Sequence, residues 1–401
     1  MIYVAAMAPA PPPDFTTLQA RAQALVPSLL ARARNAEEQR RIPDETIADL
    51  HASGLFRMLQ PRRVGGSELP FRALVELGAI VAQGCGSTAW VLTNLASHHW
   101  MLGMWPAAAQ DEIWGASPDD LIGSAFVFPG GSARVVEGGY SLSGRWPFSS
   151  GIDASRWNML GGIVRDERNR AVEPRIFLVE AKDYRIIDTW FAAGLRGTGS
   201  KDVEMGDVFV PAHRTLPLTA IAGGATPGSA VNPGALYKLP ALGLFGFVVA
   251  AVSLGIARGA IEDYAAAMRS RASAYTGKRL SDLGSVQLRL AEAAALADIA
   301  EALMLKDCDE ATRLTESGAV PDIVAKSRWR RDGAYAAGMC TKAVELIFTA
   351  TGGAAIYLDR PVQRAFRDAH AANAHYALSW DVNGTVWGRA ALGLPPDAPT
   401  L

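Results

Sequence analysis

Pro361 to Arg389 reads PVQRAFRDAHAANAHYALSWDVNGTVWGR. Neither glycine nor proline interrupts it between Val362 and Asn383, so the run predicts one long helix. Two of the chain's six histidines, His370 and His375, fall in it. Five residues apart on a helix, they point about 140° away from each other. One can face a cavity while the other meets solvent or a neighbouring helix.

Working outward, three more long helical segments precede this one, at 241–273, 282–314 and 322–351. In the second, Val286, Leu290, Ala293, Ala297, Ala300 and Met304 form one apolar stripe at helical spacing. Four such helices make a bundle. Leu239 to Ala257 carries no charge over nineteen residues, the length of a membrane span. Pro240, Gly243, Gly246 and Gly255 interrupt it, and the expectation is a helix buried on all sides within a soluble protein, with no membrane partner.

Before the bundle the period changes. Ala133 to Trp146 alternates apolar and polar residues around Gly138-Gly139, a hairpin signal. Further strands are expected at 157–164, 175–180, 184–189 and 203–210, and 220–232 reads as a loop. Residues 14–120 read as helices, with Pro43-Asp44-Glu45 opening one of them. The expected division is a disordered tail at 1–13, with Met7 an alternative start, then a helical domain at 14–120. A central β domain at 121–215 and a four-helix bundle at 216–401 follow. The fold class is α+β, mostly α. The strand and helix alternation of a dinucleotide-binding sheet is absent, and Gly194-Leu-Arg-Gly-Thr-Gly199 lacks a clear following helix.

The 401 residues carry a net charge of −1 with 20% charged residues. No basic stripe tracks a phosphate backbone, which argues against a nucleic-acid partner. Cys85, Cys308 and Cys340 are odd in number and have no metal spacing, so no metal is expected and a reducing cytoplasm fits.

This order of elements resembles the acyl-CoA dehydrogenase fold over nearly the whole chain. GLRGTGSKDVEMGDVFVP at Gly194 to Pro211 is similar to that family's Gly-x-Arg-Gly strand region. Tyr264-Ala-Ala-Ala-Met-Arg269 resembles the start of its bundle, and Arg367-Asp368-Ala369 the opening of its last long helix. Thioester-oxidising members place a catalytic Glu in a Tyr-Glu-Gly triplet shortly afterwards. Here the register reads His375-Tyr376-Ala377, which leaves an α-proton without an acceptor. The flavin-dependent monooxygenases built on this fold are the better match. Ser97-His98-His99-Trp100 looks like their His-x-Trp helix, and GGYSLSGRWPFSSG at Gly138 to Gly151 looks like their flavin-side hairpin.

That resemblance implies an oxygenase component of a two-component system. It would hydroxylate a small aromatic, phenolic or polycyclic substrate through a flavin hydroperoxide, with O2 as co-substrate. Reduced FMN or FAD would come from a separate NAD(P)H flavin reductase, and the assembly would be a homotetramer. His375, His98 and Ser124 are the implied catalytic residues, with His375 as the base. Ser124, Trp146, Phe148, Ser149, Ser150, Arg269 and Arg271 are the implied flavin contacts. His98, Trp100 and Tyr376 are the implied substrate contacts. The competing readings are an acyl-thioester dehydrogenase, a member that oxidises nitrogen or sulfur, and a helical scaffold protein that has lost flavin.

Overall fold

The computed structural model describes residues 11–272, 277–395 and 397–398. The expected tail, Met7 included, lies mostly outside them. Five helices come first among the described residues: α1 (Phe15–Gln39), α2 (Asp44–Ser53), α3 (Arg72–Gly84), α4 (Gly86–Leu102) and α5 (Ala107–Ala116). Local signals set their ends. The Asp14 carboxylate accepts from Thr17 N at 2.8 Å and caps α1, and Gly54, at φ 80°, closes α2.

Eight strands follow: β1 (Ile122–Ala125), β2 (Gly131–Val136), β3 (Gly139–Ser149), β4 (Trp157–Arg165), β5 (Ala171–Glu180), β6 (Arg185–Ile187), β7 (Lys201–Pro211) and β8 (Thr215–Pro217). Their order in the sheet is β6-β7-β3-β2-β4-β5-β8, with β1 alongside β4. The Gly138-Gly139 hairpin forms as expected, Val136 pairing with Gly139. Less expected are two parallel pairings, of β1 and of β2 with β4.

The remaining helices are α6 (Ala241–Ser270), α7 (Gly284–Glu316), α8 (Ile323–Thr351), α9 (Pro361–Asn373) and α10 (Trp380–Ala391). The stripe on α7 is confirmed: Ala293, Ala297, Ala300 and Met304 are buried. Helix α6 is apolar and long enough to cross a membrane, and 78% of its most apolar window is buried inside the protein. It packs on α3, α4, α8 and α9. A Cβ at Gly255 would stand 2.1 Å from the Ala79 carbonyl oxygen, so glycine is what lets α3 and α6 approach.

The last segment departs from the expected single helix. It breaks between Asn373 and Trp380, and two side chains hold the break. His375 is extended (φ −67°, ψ 138°) and caps a one-turn helix over Tyr376–Leu378. The Asn383 amide donates to the carbonyl oxygens of Tyr376, Ala377 and Ser379 across the break.

Two hydrophobic cores result. The first runs from α1 through the C-terminal helices, and the second lies within the sheet around Leu142, Trp146 and Phe177. The site lies in the first, on the side that meets the sheet.

Candidate active site

A chain of aromatic rings lies in the first core, where α4 and α6 approach the sheet. His98 on α4 stands edge-on to Phe126, centroids 6.1 Å apart. Phe126 meets Phe245 of α6 at 6.0 Å, and Phe245 meets His375 at 6.3 Å. His375 then lies 5.5 Å from Trp90 of α4. Helical spacing explains part of this, since Trp90 and His98 are eight residues apart and share a face. No ring or hydrogen-bond contact of these five side chains is to a carboxylate among the described residues.

The two imidazoles differ in tautomer. His98 Nδ1 lies 2.6 Å from the Ile122 carbonyl oxygen. A carbonyl only accepts, so Nδ1 carries the proton and Nε2 holds a bare lone pair. That Nε2 is buried without a partner among the described residues. His375 is the reverse: its Nδ1 accepts from Ala377 N–H at 3.1 Å, so in the neutral ring the proton is on Nε2. Burial lowers both to about 4, and both rings are neutral at pH 7. His99 is a packing residue. It is buried, stacks on Trp114, and accepts the indole proton at 3.1 Å. Burial, with Arg57 nearby, lowers it to about 3.

The GRWPFSSG stretch divides residue by residue. Trp146 is fully buried in the sheet core and donates Nε1–H to the Gly161 carbonyl at 2.6 Å. It packs the β domain and has no face for a cofactor, which corrects the expectation. Ser149 is likewise buried, its hydroxyl bonded to Asn158 at 3.0 Å. Phe148 and Ser150 behave otherwise. Phe148 sits at φ 68° on an irregular stretch of the β3–β7 ladder, with its ring 62% exposed. A bulky residue in the left-handed region is strained, and the ring it presents meets Trp190 edge-on, centroids 6.4 Å apart. Ser150 Oγ accepts from Trp90 Nε1 at 3.0 Å and bonds Ser200 Oγ at 2.7 Å.

The Ser200 contact joins motifs that are remote in sequence. Ser200 bonds Thr198, and Thr198 donates to the Leu195 carbonyl. Leu195 N–H donates to Asp368 of α9 at 2.6 Å. Burial raises the Asp368 carboxyl to about 6, opposed by that bond. A Cβ at Gly194 would sit 2.1 Å from the Arg367 carbonyl oxygen, so the glycine lets the loop dock on α9. Nothing in the spacing of these residues signals the contact.

Of the other expected site residues, Ser124 lies on β1, on the same face as Ile122, and is partly exposed. Trp100 is fully buried, donates to the Leu236 carbonyl at 2.7 Å and packs on Phe71, so it is a core residue and not a substrate contact. Tyr376 is 65% exposed and hydrogen-bonded to Arg330, outside the ring chain. Arg269 and Arg271 are exposed near the end of α6. Arg271, with Arg360, lines a groove of about 470 Å³ between α6, α8 and α9, and Arg269 is not among the lining residues. A smaller recess shares Ala260, Asp263 and Pro361 with that groove and reaches Asp368.

These residues fit a flavin. There is a serine oxygen for the ring edge, an outward aromatic, arginines in a groove suited to phosphate, and an orphaned acceptor in an aromatic cluster. Residues 247–380 match the family model described as Acyl-CoA dehydrogenase, C-terminal domain. The FADH(2)-dependent resorcinol hydroxylase, oxygenase component, of Rhizobium sp. (strain MTP-10005) is 36% identical over 373 residues, 91% of each chain. The crystal structure of 3-HSA hydroxylase from Rhodococcus sp. RHA1 superposes with a TM-score of 0.91 at 33% identity, over 97% of this chain and 100% of that one. XiaF from Streptomyces sp., solved with FADH2 and glycerol, superposes at 0.89 with 27% identity, over 96% of this chain and 98% of that one. The chain belongs to the flavin-dependent monooxygenases built on the acyl-CoA dehydrogenase fold, as an oxygenase component.

Proposed function

We propose that this oxygenase component hydroxylates a small phenol whose hydroxyl donates to His98 Nε2. The observation that carries this reading is the buried, unpartnered lone pair on that nitrogen. Leaving such an acceptor unmade costs about 1–3 kcal/mol, and a phenol hydroxyl of pKa near 10 is a matching donor in an aromatic enclosure.

Bound reduced flavin supplies the activation of dioxygen and the electron pair that turns its second oxygen into water. The protein's share is positional. A His98 ring at about 4 is too weak to strip a resting phenol. It accepts the hydrogen bond, and takes the proton only as the ring carbon forms its new bond. In this reading the base is His98, and His375 offers Nε2–H to an oxygen in the cluster, whereas the sequence reading made His375 the base and His98 a catalytic and substrate-contact residue. Phe126, Phe245 and Trp90 keep water out. Ser124, half-buried on β1, would approach the same enclosure from the sheet. Phe148 and Ser150 contact the flavin ring, and Arg271 its phosphate.

Reduced flavin arrives from a separate NAD(P)H-dependent reductase. A homotetramer is part of the same proposal: Leu288 and Ile299 on α7, and Ile356 to Leu358 before α9, are exposed apolar residues. The three free, buried cysteines fit a reducing cytoplasm.

The test mixes the protein with chemically reduced flavin in air-saturated buffer and offers simple phenols beside acyl thioesters. Oxygen-dependent hydroxylated product from a phenol supports the reading. Anaerobic reduction of oxidised flavin by a thioester, with no phenol product, overturns it.

A further inference from the structure

The turn that carries His375 is held by one guanidinium on a different helix. Ala377 N–H donates to His375 Nδ1 at 3.1 Å. The carbonyl of that same peptide unit, of Tyr376, accepts from Asn383 Nδ2 at 3.4 Å. The amide also reaches the Ala377 and Ser379 carbonyls, at 3.2 and 2.9 Å. Its other end meets α8, where Arg330 Nε donates to Asn383 Oδ1 at 3.0 Å. A guanidinium only donates, so the amide has one orientation: oxygen towards Arg330, nitrogen towards the turn. Arg330 also hydrogen-bonds the Tyr376 side chain, and so grips the turn at two points. Arg330 is 5% exposed and Asn383 is fully buried, and a charge is costly to keep in such a place.

We propose that Arg330 and Asn383 are positioning residues for hydroxylation: they fix the turn from His375 to Ser379 so that the imidazole keeps Nδ1 on Ala377 and offers Nε2–H to the site. This deepens the reading above and rests on it, since it takes His375 as a donor into the ring cluster. Without the amide protons, the three carbonyls lose the group that ties them to α10 and, through Arg330, to α8. The peptide between Tyr376 and Ala377 is then less restrained, and a tilt of its N–H releases His375 Nδ1. The neutral ring can then carry its proton on either nitrogen, and a bare Nε2 accepts where the reaction needs a donor. A displacement of about 1 Å at a group acting on the reacting atoms costs on the order of 100-fold in rate. Arg330 and Asn383 lie outside the ring cluster, so binding of flavin and phenol does not share that loss.

The experiment follows single turnovers of the full-length protein, loaded with dithionite-reduced flavin and mixed with air-saturated buffer and the simple phenol turned over best in the test above. Asn383→Asp is the central variant. It keeps an oxygen for Arg330, now as an ion pair, and removes both amide protons from the turn. The hydroxylation rate is expected to fall by roughly 10- to 100-fold, with the dissociation constants for phenol and reduced flavin within about two-fold of wild type. Arg330→Lys keeps the charge but not the fork that reaches both Asn383 and Tyr376, and gives the same split, so the result does not depend on one variant folding. In a His375→Asn background Asn383→Asp is expected to add no further loss, because it acts through the missing ring. A second readout needs no substrate: nitrogen NMR of histidine-labelled protein shows His375 as one tautomer in the wild type and as a mixture in Asn383→Asp. Losses that multiply in the double variant, or that fall on binding as much as on rate, overturn the inference and leave His375 in its role. Unchanged rate and tautomer in Asn383→Asp do the same. Full hydroxylation by His375→Asn removes the histidine from the reaction, and the positioning role with it.

Discussion

Replacing His98 by Asn separates the fold's use of this residue from the reaction's use of it. The Asn amide nitrogen lies close to where Nδ1 lies, so the bond to the Ile122 carbonyl survives. The titrating ring and its Nε2 lone pair do not. The folded ring sits at about 4, against about 6.5 in an unfolded chain. Between those values the unfolded state binds more protons, so the stability His98 contributes is present above pH 6.5 and lost as pH falls towards 4. From pH 7 to pH 5 the loss is roughly 2 kcal/mol. Asp368 and Asp307, both raised by burial, act with opposite sign: the folded state gains protons there as pH falls. They are common to both proteins and cancel in the difference. Denaturant unfolding at pH 7, 6 and 5 should show the variant losing about 2 kcal/mol less than the wild type on acidification. Hydroxylation should drop by about 10²- to 10⁴-fold, with the dissociation constant for reduced flavin nearly unchanged. Parallel stability profiles would mean that His98 is not a buried neutral ring. Full turnover in the variant would mean that it is not the base.

Three further substitutions probe the rest of the site. His375→Gln keeps a donor near the Nε2 position whereas His375→Asn does not, so Gln should retain more hydroxylation than Asn; equal losses would count against the donor role. Phe148→Gly relieves the left-handed backbone and should raise stability by about 1 kcal/mol while weakening flavin binding by roughly three- to ten-fold; a destabilised variant with unchanged flavin affinity contradicts both halves. Trp146→Phe leaves the Gly161 carbonyl without its partner and should cost about 1–3 kcal/mol of stability, with flavin affinity within about two-fold of wild type. A large loss of affinity at full stability would return Trp146 to the cofactor.

What could be read in advance follows a physical division. Period and punctuation place α7 by its apolar stripe and the hairpin by Gly138-Gly139, because these depend on neighbours in the chain. The break before α10 could not be read, because it contains neither glycine nor proline. It is made by His375 turning back on Ala377 and by Asn383 tying together the carbonyls within it, and both effects act through side-chain direction. Trp146 was misplaced for a related reason: alternation says that β3 has two faces but not which one the second core claims. Resemblance found His98 and His375, but not their tautomers. Those are set by Ile122 and Ala377, backbone atoms with no signature in residue type. The wall residues Phe126 and Phe245 went unseen because an aromatic in a strand or an apolar helix announces only burial.

The line from Asp368 to Trp90 has a consequence for how such enzymes diversify. It ties the final helices, the sheet and the second half of the N-terminal helices through single bonds, and each segment supplies one link. A chimera that exchanges α9 with a relative must match the link at Leu195, and one that exchanges α4 must match the link at Ser150. Moved with the sheet, the Leu195 to Ser200 loop keeps its own bond to Ser150, and only the contacts of Asp368 and Trp90 then need matching in the incoming helices.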